Sequence, residues 1–336
     1  MTGPRQASEF ATLAGMLAFL LAIAAAPVPI IFDTDMASDC DDVAALVVLH
    51  VLADRGEATV LATVVNRGDA AGRSASATAA INTFYGRPDL PIGVARDDGF
   101  VRDLGRSSFT EALHAALPHT PDGLDPTFPD AVAVYRRVLG EQPDGSVTIC
   151  SVGALSNLAG LLESDDGPEL VAAKVRRLVV MGGGFPRTHR PETNLLLDAA
   201  AALRVANDWP TETLWQGYEV GAAVIAGDGL RTLPATDLQR LAFSLRPYRG
   251  RPALEGGKPS HDQAAVLLAV RGPGKPHWSL SPPGRVVTDS LGNTEFHVGR
   301  HDRATEARHR YVRIAGDPAT LAREIETLML AASPSH

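Results

Sequence analysis

Short apolar runs alternate along this chain with stretches that have the period of a helix. Strand-like runs lie at residues 29–32, 58–65, 91–94, 147–152, 175–181 and 213–216. Helix-like stretches follow them, at residues 43–52, 72–85, 130–142, 154–162, 198–207, 237–245 and 262–270. This alternation favours a mostly parallel open sheet with helices on both faces. The sequence therefore predicts one α/β domain, residues 27–336.

The last third of the chain departs from the simple alternation. Two further strand-like runs, at residues 284–289 and 309–315, precede a terminal helix at 317–330. Stretches rich in glycine and proline, at 96–128 and 246–260, are predicted to be long surface loops, and loops of that length often cover a site. No linker divides the chain.

Composition excludes some classes of function. The 336 residues include 31 Lys and Arg against 39 Asp and Glu, for a net charge of −8. Because no basic block or basic-aromatic stripe is present, nucleic-acid binding is disfavoured, and we expect a neutral substrate rather than a polyanion. The two cysteines, Cys40 and Cys150, do not form a metal-binding pattern; two free, semi-buried thiols are predicted, and a disulfide between them is the alternative.

The N-terminal residues resemble a secretory signal. Arg5 precedes an uncharged run at residues 10–26 that ends in small residues. Residues 1–26 are therefore predicted to direct export, to a periplasm or to the medium, with no stable membrane association after cleavage. The alternatives are an uncleaved anchor or a wrongly assigned start, which would leave the protein in the cytoplasm.

An acidic cluster follows the first strand-like run. Its five carboxylates fall within ten residues: Asp33, Asp35, Asp39, Asp41 and Asp42. Carboxylates repel one another unless a cation lies among them, and oxygen ligands favour Ca²⁺ or Mg²⁺. The cluster lies in a strand-to-helix loop, where open α/β sheets bind ligands. An EF-hand is excluded, because counting from Asp33 places Ala44 where that loop has Glu.

Three further motifs carry polar groups or close backbone approaches. His261 and Asp262 open a helix-like stretch, so Asp262 could complete a cation site while His261 faces a substrate. Glu192 and Asn194 are two apart and would point to one side of an extended segment, where they could bind hydroxyls. Three glycines follow Met181 at the end of a strand-like run, and residues 151–157 form a strand-to-helix turn.

In this order, the motifs resemble those of the inosine/uridine-preferring nucleoside hydrolase family. The family's Asp-x-Asp-x-Gly-x-Asp-Asp signature is similar to residues 33–42, which are two residues longer and have Ala37 in place of the glycine. The resemblance covers residues 29–270 and implies a Rossmann-like core. It also implies a small-molecule nucleoside substrate, one Ca²⁺ and, by analogy, a homodimer or homotetramer.

The resemblance also implies roles for individual residues. The implied calcium ligands are Asp35, Asp42, Asp262 and the carbonyl of Val152. The implied ribose-binding residues are Asp41, Asn66, Met181, Glu192 and Asn194. The longer motif leaves open whether Asp39 or Asp41 faces the sugar, and keeping the helix start fixed favours Asp41.

The implied reaction is hydrolysis of the N-glycosidic bond of a ribonucleoside, or of a related ribosyl compound. Asp35 is the candidate base that activates water, and His261 is the candidate donor to the leaving base. Phe185, Trp215 and Tyr218 are candidates for stacking on the base.

Two other functions share these motifs. A haloacid-dehalogenase-type phosphatase also begins with a strand and Asp-x-Asp, but this chain has few lysines to hold a phosphate. An exported, calcium-loaded protein that binds nucleosides or sugars without turnover is the second alternative, since fold does not fix function.

Overall fold

The computed structural model describes residues 26–331, except residues 38, 69–70, 97–107, 117–118, 120, 189, 275 and 300–306. The predicted signal segment therefore lies outside the described residues, apart from Ala26. Among the described residues, no helix is long and apolar enough to cross a membrane.

The strands belong to one large sheet and two small ones. They are β1 (Val28–Thr34), β2 (Ala58–Val65), β3 (Ile92–Val94), β4 (Val147–Ser151), β5 (Val175–Met181), β6 (Glu212–Gln216), β7 (Ile225–Ala226), β8 (Pro247–Tyr248), β9 (Arg251–Pro252), β10 (Lys258–Pro259), β11 (Trp278–Leu280), β12 (Gly284–Thr288), β13 (Thr294–Val298) and β14 (His309–Ile314). The large sheet runs in the order β13-β12-β14-β6-β5-β4-β1-β2-β3, with β11 also paired to β14.

The described helices cover both faces of the large sheet. They are α1 (Asp41–Asp54), α2 (Ser74–Phe84), α3 (Ser108–Ala116), α4 (Ala131–Gly140), α5 (Ser156–Glu163), α6 (Gly167–Lys174), α7 (Thr193–Leu197), α8 (Ala199–Asp208), α9 (Tyr218–Ala222), α10 (Leu238–Leu245), α11 (His261–Arg271) and α12 (Pro318–Met329). Apolar residues of α1, α11 and α12 form one core cluster. Those of α4, α5 and α8 form another.

The predicted mostly parallel α/β fold is confirmed. In the large sheet, strands β3, β2, β1, β4, β5, β6 and β14 pair in parallel, and β11, β12 and β13 are added by antiparallel pairing. The order in which the chain adds these parallel strands reverses between β1 and β4: β2 and β3 are added on one side of β1, and β4, β5 and β6 on the other. In an open sheet this reversal opens a crevice at the carboxyl ends of the two strands, which is the usual place for a ligand.

Helix α1 ties the acidic loop to the core. Every residue from Asp41 to Leu52 is buried, because the helix lies between the sheet and other helices and is apolar on all sides. Asp41 and Asp42 form its first turn, where the helix dipole favours negative charge. The predicted helix start is therefore confirmed.

The two predicted surface loops are only partly loops. The described part of residues 96–128 contains α3, whose Phe109 and Leu113 are buried in the core. The segment 246–260 contains the paired strands β8 and β9 and the buried strand β10. The glycines and prolines of these segments concealed the elements. Each of the two-residue strands β8, β9 and β10 includes a proline.

Candidate functional site

The end of β1 divides the five predicted aspartates between two environments. Asp33 is fully buried behind the site, where its carboxylate accepts hydrogen bonds from the Tyr135 hydroxyl (2.8 Å), from Asn157 (3.2 Å) and from the Asn66 amide. Burial raises the pKa of Asp33 to about 6, although these three donors oppose the shift. Asp33 therefore anchors the loop.

The other four aspartates line a cavity of about 190 Å³ at the carboxyl ends of β1, β4 and β5. The lining residues come from seven regions of the chain and are Asp35, Asp39, Asp41, Asp42, Val152, Met181, Glu192, Thr193, Asn194, Tyr218, Arg246, His261 and Asp262. With one exception, the cavity thus brings together the residues that the sequence predicted for the site.

The exception is Asn66. Its side chain is fully buried against Asp33 and is not among the residues that line the cavity. It nevertheless lies close by, because a Cβ added to Gly153 would meet the Asn66 amide at 2.7 Å and the Asp35 Cβ at 2.9 Å. A glycine is required where these two side chains approach the β4 turn so closely. The predicted ribose contact of Asn66 stays a prediction.

Three carboxylates meet at the bottom of the cavity. Asp41, Asp42 and Asp262 are all buried, and each offers an oxygen within 4.8 Å of the other two. Burial raises the pKa of Asp42 well above its usual range, and the neighbouring carboxylates of Asp35 and Asp41 raise it further. Burial also raises the pKa of Asp262, as do Asp41, Asp42 and Asp35. A cation bound among them would relieve this repulsion.

The donor set fits a hard divalent cation. Asp42 Oδ1 accepts a hydrogen bond from the Thr34 hydroxyl, whereas its Oδ2 is buried and has no hydrogen-bond partner among the described residues. Asp35 and Val152 line the same cavity, and Val152 offers a backbone carbonyl. Carboxylate and carbonyl oxygens are the ligands of Ca²⁺ and Mg²⁺. These groups therefore fit the calcium ligands that the family resemblance implies.

Asn194 joins the ends of β4 and β5 beneath the cavity. Its amide Nδ2 donates to the carbonyl oxygens of Val152 (2.9 Å) and Met181 (3.1 Å) and lies 3.1 Å from the Met181 sulfur. A carbonyl oxygen has two lone pairs, so the Val152 carbonyl retains one for a further partner. Asn194 thus fixes the direction of the carbonyl that was predicted to bind the metal.

The segment that carries Glu192 is not extended, which corrects the geometry considered for Glu192 and Asn194. Glu192 precedes the short helix α7, and its carboxylate caps the helix by accepting the backbone N–H groups of Asn194 (3.0 Å) and Leu195 (3.3 Å). It also accepts the N–H of Gly183 at 3.2 Å. The unpaired N–H groups at a helix start favour this arrangement. Both side chains still line the cavity, because the cap turns them towards it.

His261 and Tyr218 form one wall of the cavity. Their rings stack with centroids 5.0 Å apart, and Tyr218 is 54% exposed. Burial lowers the pKa of His261 to about 4, and the nearby charge of Lys258 contributes to the same effect. The imidazole is therefore neutral at pH 7 and offers a hydrogen bond. Of the three aromatic candidates, Tyr218 alone lines the cavity; Trp215 is fully buried.

Two cations at the site were not predicted. Lys258 is 3% exposed, and its Nζ lies 2.8 Å from Asp41 Oδ1 and 3.2 Å from Asp39 Oδ1. Arg246 reaches Asp39 through Nε at 3.2 Å. Burial alone would raise the pKa of Asp39, but Lys258 and Arg246 outweigh burial and lower it. Burial favours the neutral form of Lys258, but Asp41 and Asp39 reverse this and raise its pKa.

Comparison with known proteins extends these observations to the whole chain. A family model described as inosine-uridine preferring nucleoside hydrolase matches residues 30–321. No match was found among curated proteins. Among solved structures, a plant nucleoside hydrolase is 20% identical, with a TM-score of 0.68, and covers 90% of this chain and 98% of its own.

Two bacterial structures have nearly the same TM-score and coverage. The purine-preferring ribonucleoside hydrolase from Gardnerella vaginalis is 16% identical, with a TM-score of 0.68, and the match covers 90% of this chain and 97% of that one. The inosine-uridine preferring nucleoside hydrolase from Bacillus anthracis is 15% identical, with a TM-score of 0.67, and covers 90% and 98%. At these identities the structures show a shared fold.

Proposed function

Because the chain belongs to the inosine/uridine-preferring nucleoside hydrolase family, whose reaction class is N-glycosyl hydrolysis, we propose that it hydrolyses ribonucleosides to free base and ribose in a Ca²⁺-dependent reaction. One observation carries the metal requirement: the buried carboxylates of Asp41, Asp42 and Asp262 face one another at the ends of the parallel strands. Lys258 pairs with Asp41, but without a further cation Asp42 and Asp262 are held together against the repulsion that raises their pKa values.

We assign the metal to Asp35, Asp42, Asp262 and the Val152 carbonyl. When bound there, the cation would chelate sugar hydroxyls and lower the pKa of a water molecule. Asp35 then serves as the base that takes a proton from this water. The surrounding carboxylates favour the positive, oxocarbenium-like sugar that forms as the bond to the base breaks.

The remaining residues of the cavity, together with the adjacent Asn66, position the substrate. We assign the ribose hydroxyls to Asp41, Asn66, Glu192 and Asn194, and the apolar face of the sugar to Met181. The carboxylate of Glu192 already accepts three backbone N–H groups, so its orientation is fixed before substrate binds. A site arranged in advance in this way does not have to be ordered during binding.

His261 and Tyr218 are placed to handle the departing base. Tyr218 offers an exposed ring for stacking, and it holds the His261 ring parallel to its own. Since His261 is neutral, it assists departure by donating a hydrogen bond to the base rather than by carrying a positive charge.

Ribose release tests this function. The purified protein would be incubated with inosine, uridine, adenosine and cytidine, with Ca²⁺ or with a chelator. We expect release that the chelator abolishes, and we expect Asp262→Ala to lose both calcium binding and turnover. Asp208→Ala is the matched control, because Asp208 lies on the surface in an ion pair with Arg204.

The same assay separates the alternatives. Tight calcium and nucleoside binding without ribose release would instead support a binding protein. Release of phosphate from p-nitrophenyl phosphate would support a phosphatase, which the family match disfavours.

A further inference from the structure

The acidic loop of this chain contains more carboxylates than the proposed metal needs. Asp35, Asp42 and Asp262 are assigned to the cation, which leaves Asp39 and Asp41 at the same cavity without a role in binding it. Asp41 is buried and Asp39 is partly buried, with 32% of its side chain exposed, and uncompensated negative charge in such a place is unfavourable. The chain must therefore compensate Asp39 and Asp41 with its own cations.

Lys258 and Arg246 supply this compensation, but not in the same way. Of these two carboxylates Arg246 contacts Asp39, through Nε at 3.2 Å and Nη2 at 3.5 Å, and it lines the cavity. Lys258 contacts both carboxylates, with its Nζ 2.8 Å from Asp41 and 3.2 Å from Asp39. Asp41 therefore depends on Lys258 among the cations of the described residues.

Distance alone does not decide which carboxylates bind the metal. Asp41 lies as close to Asp42 and Asp262 as a ligand would, since the three offer oxygens within 4.8 Å of one another. The ammonium of Lys258 occupies one lone pair of Asp41 Oδ1, so a metal bound by the same carboxylate would have to share it with a positive charge. An ammonium at this place also repels a cation bound nearby.

We propose that Lys258 is a positioning residue, which holds Asp41 away from the metal and towards the sugar. Its backbone supports this role, because strand β10 is paired with β7 and lies just before the helix that carries His261 and Asp262. The residue that directs Asp41 is thus rigidly connected to the metal ligand Asp262. This inference rests on the proposed function.

The test compares Lys258→Met with Lys174→Met. Methionine keeps most of the length of the side chain but removes its charge. Lys174 also forms an ion pair, with Asp144 at 2.7 Å, but it lies on the surface. For each folded protein, calcium affinity would be measured by titration calorimetry, and kcat and KM by ribose release.

We expect a specific combination of effects for Lys258→Met. Calcium should bind as tightly as in the wild-type protein or more tightly, because a positive charge has been removed and Asp41 is free to turn towards the metal. The kcat/KM should fall by at least about 30-fold, because the carboxylate that faces the sugar has lost its charged partner. Lys174→Met should change neither quantity.

Asp41→Asn completes the test and covers the case in which Lys258→Met does not fold. If Lys258 acts through Asp41, the double variant should be hardly worse than Asp41→Asn alone. Asp41→Asn should retain calcium binding and lose turnover. Loss of calcium binding in Asp41→Asn, or weaker calcium binding in Lys258→Met with unchanged turnover, would overturn the proposal.

The calorimetric measurement keeps the two proposals distinguishable. If the wild-type protein releases no ribose from any nucleoside, the proposed function fails. The role of Lys258 is then decided by calcium affinity, which must be retained in both Lys258→Met and Asp41→Asn if Asp41 is held apart from the metal.

Discussion

The buried imidazole of His50 makes the free energy of unfolding of this protein depend on pH. The residue is fully buried in α1, and its ring stacks on Tyr85 with centroids 5.1 Å apart. Its Nδ1 faces Arg87 Nη1 at 3.4 Å, and its Nε2 lies 2.9 Å from Asn82 Oδ1. Because arginine can only donate, Nδ1 must accept, and Nε2–H donates to Asn82.

A second proton on this ring would point at a guanidinium in a buried site. Burial lowers the pKa of His50 to about 3, and the charge of Arg87 adds to the shift. In the unfolded chain the pKa returns to about 6.5. Between these two values the unfolded state binds one more proton than the folded state, so the free energy of unfolding falls as the pH falls.

The size of the loss in unfolding free energy follows from the interval between the folded and unfolded pKa values of His50. From pH 7.5 to pH 5, His50 should lower the free energy of unfolding by about 2 kcal/mol, with a slope approaching about 1.4 kcal/mol per pH unit. Urea denaturation at the two pH values would measure the loss in the wild-type protein and in His50→Gln, which retains an amide donor for Asn82. Other groups titrate in both proteins and cancel in the comparison.

We expect His50→Gln to lose about 2 kcal/mol less than the wild-type protein over this interval. His297→Gln, which removes a histidine whose side chain is 57% exposed, should behave like the wild type. Equal losses in the wild-type and His50→Gln proteins would show that the reasoning about the buried ring is wrong.

Three further predictions concern the site and its support. Gly221→Ala should lower kcat/KM at least about tenfold, because the added Cβ would lie 2.2 Å from His261 Nδ1. Gly140→Ala is the control and should leave kcat/KM unchanged, because its Cβ would meet nothing within 4 Å. Equal kinetics of the two variants would contradict the prediction. Tyr135→Phe should lower the free energy of unfolding in urea by about 2 kcal/mol, because the buried Asp33 loses a donor; a change near zero would contradict it. Calcium at a hundred times its Kd should raise the free energy of unfolding by about 2.7 kcal/mol over chelator-treated protein, and an unchanged unfolding curve would argue against a specific site.

The fold was predictable because its strongest signals are local. Strands β2 and β5 begin and end at the predicted residues, since each is rich in β-branched residues and is bounded by polar or glycine residues. Helix α6 was not predicted, because it is only eight residues long, begins with glycine and proline, and buries only Gly167 and Val171. Strand β13 was missed because Thr294–Val298 contains polar residues and derives its pairing from β12.

Much of the candidate site was also predictable, for a different reason. Asp35, Asp42, His261 and Asp262 stand in motifs whose position at strand ends places them at one edge of a parallel sheet. The signal that could have revealed Lys258 is the surplus of acidic residues itself. Five aspartates in one loop require more positive charge than one divalent cation supplies, and Lys258 stands three residues before the His261 motif.

The separation of Asp42 and Asp262 along the chain has a consequence for how the protein is made. During synthesis the amino-terminal part of the chain emerges first, so Asp35 and Asp42 are exposed to solvent long before Asp262 and Lys258 exist. Such a nascent chain carries the crowded aspartates without the lysine that compensates them and without the last metal ligand. The acidic loop therefore reaches its final arrangement only after α11 packs on α1, and calcium binding would report that the chain has folded at least as far as α11.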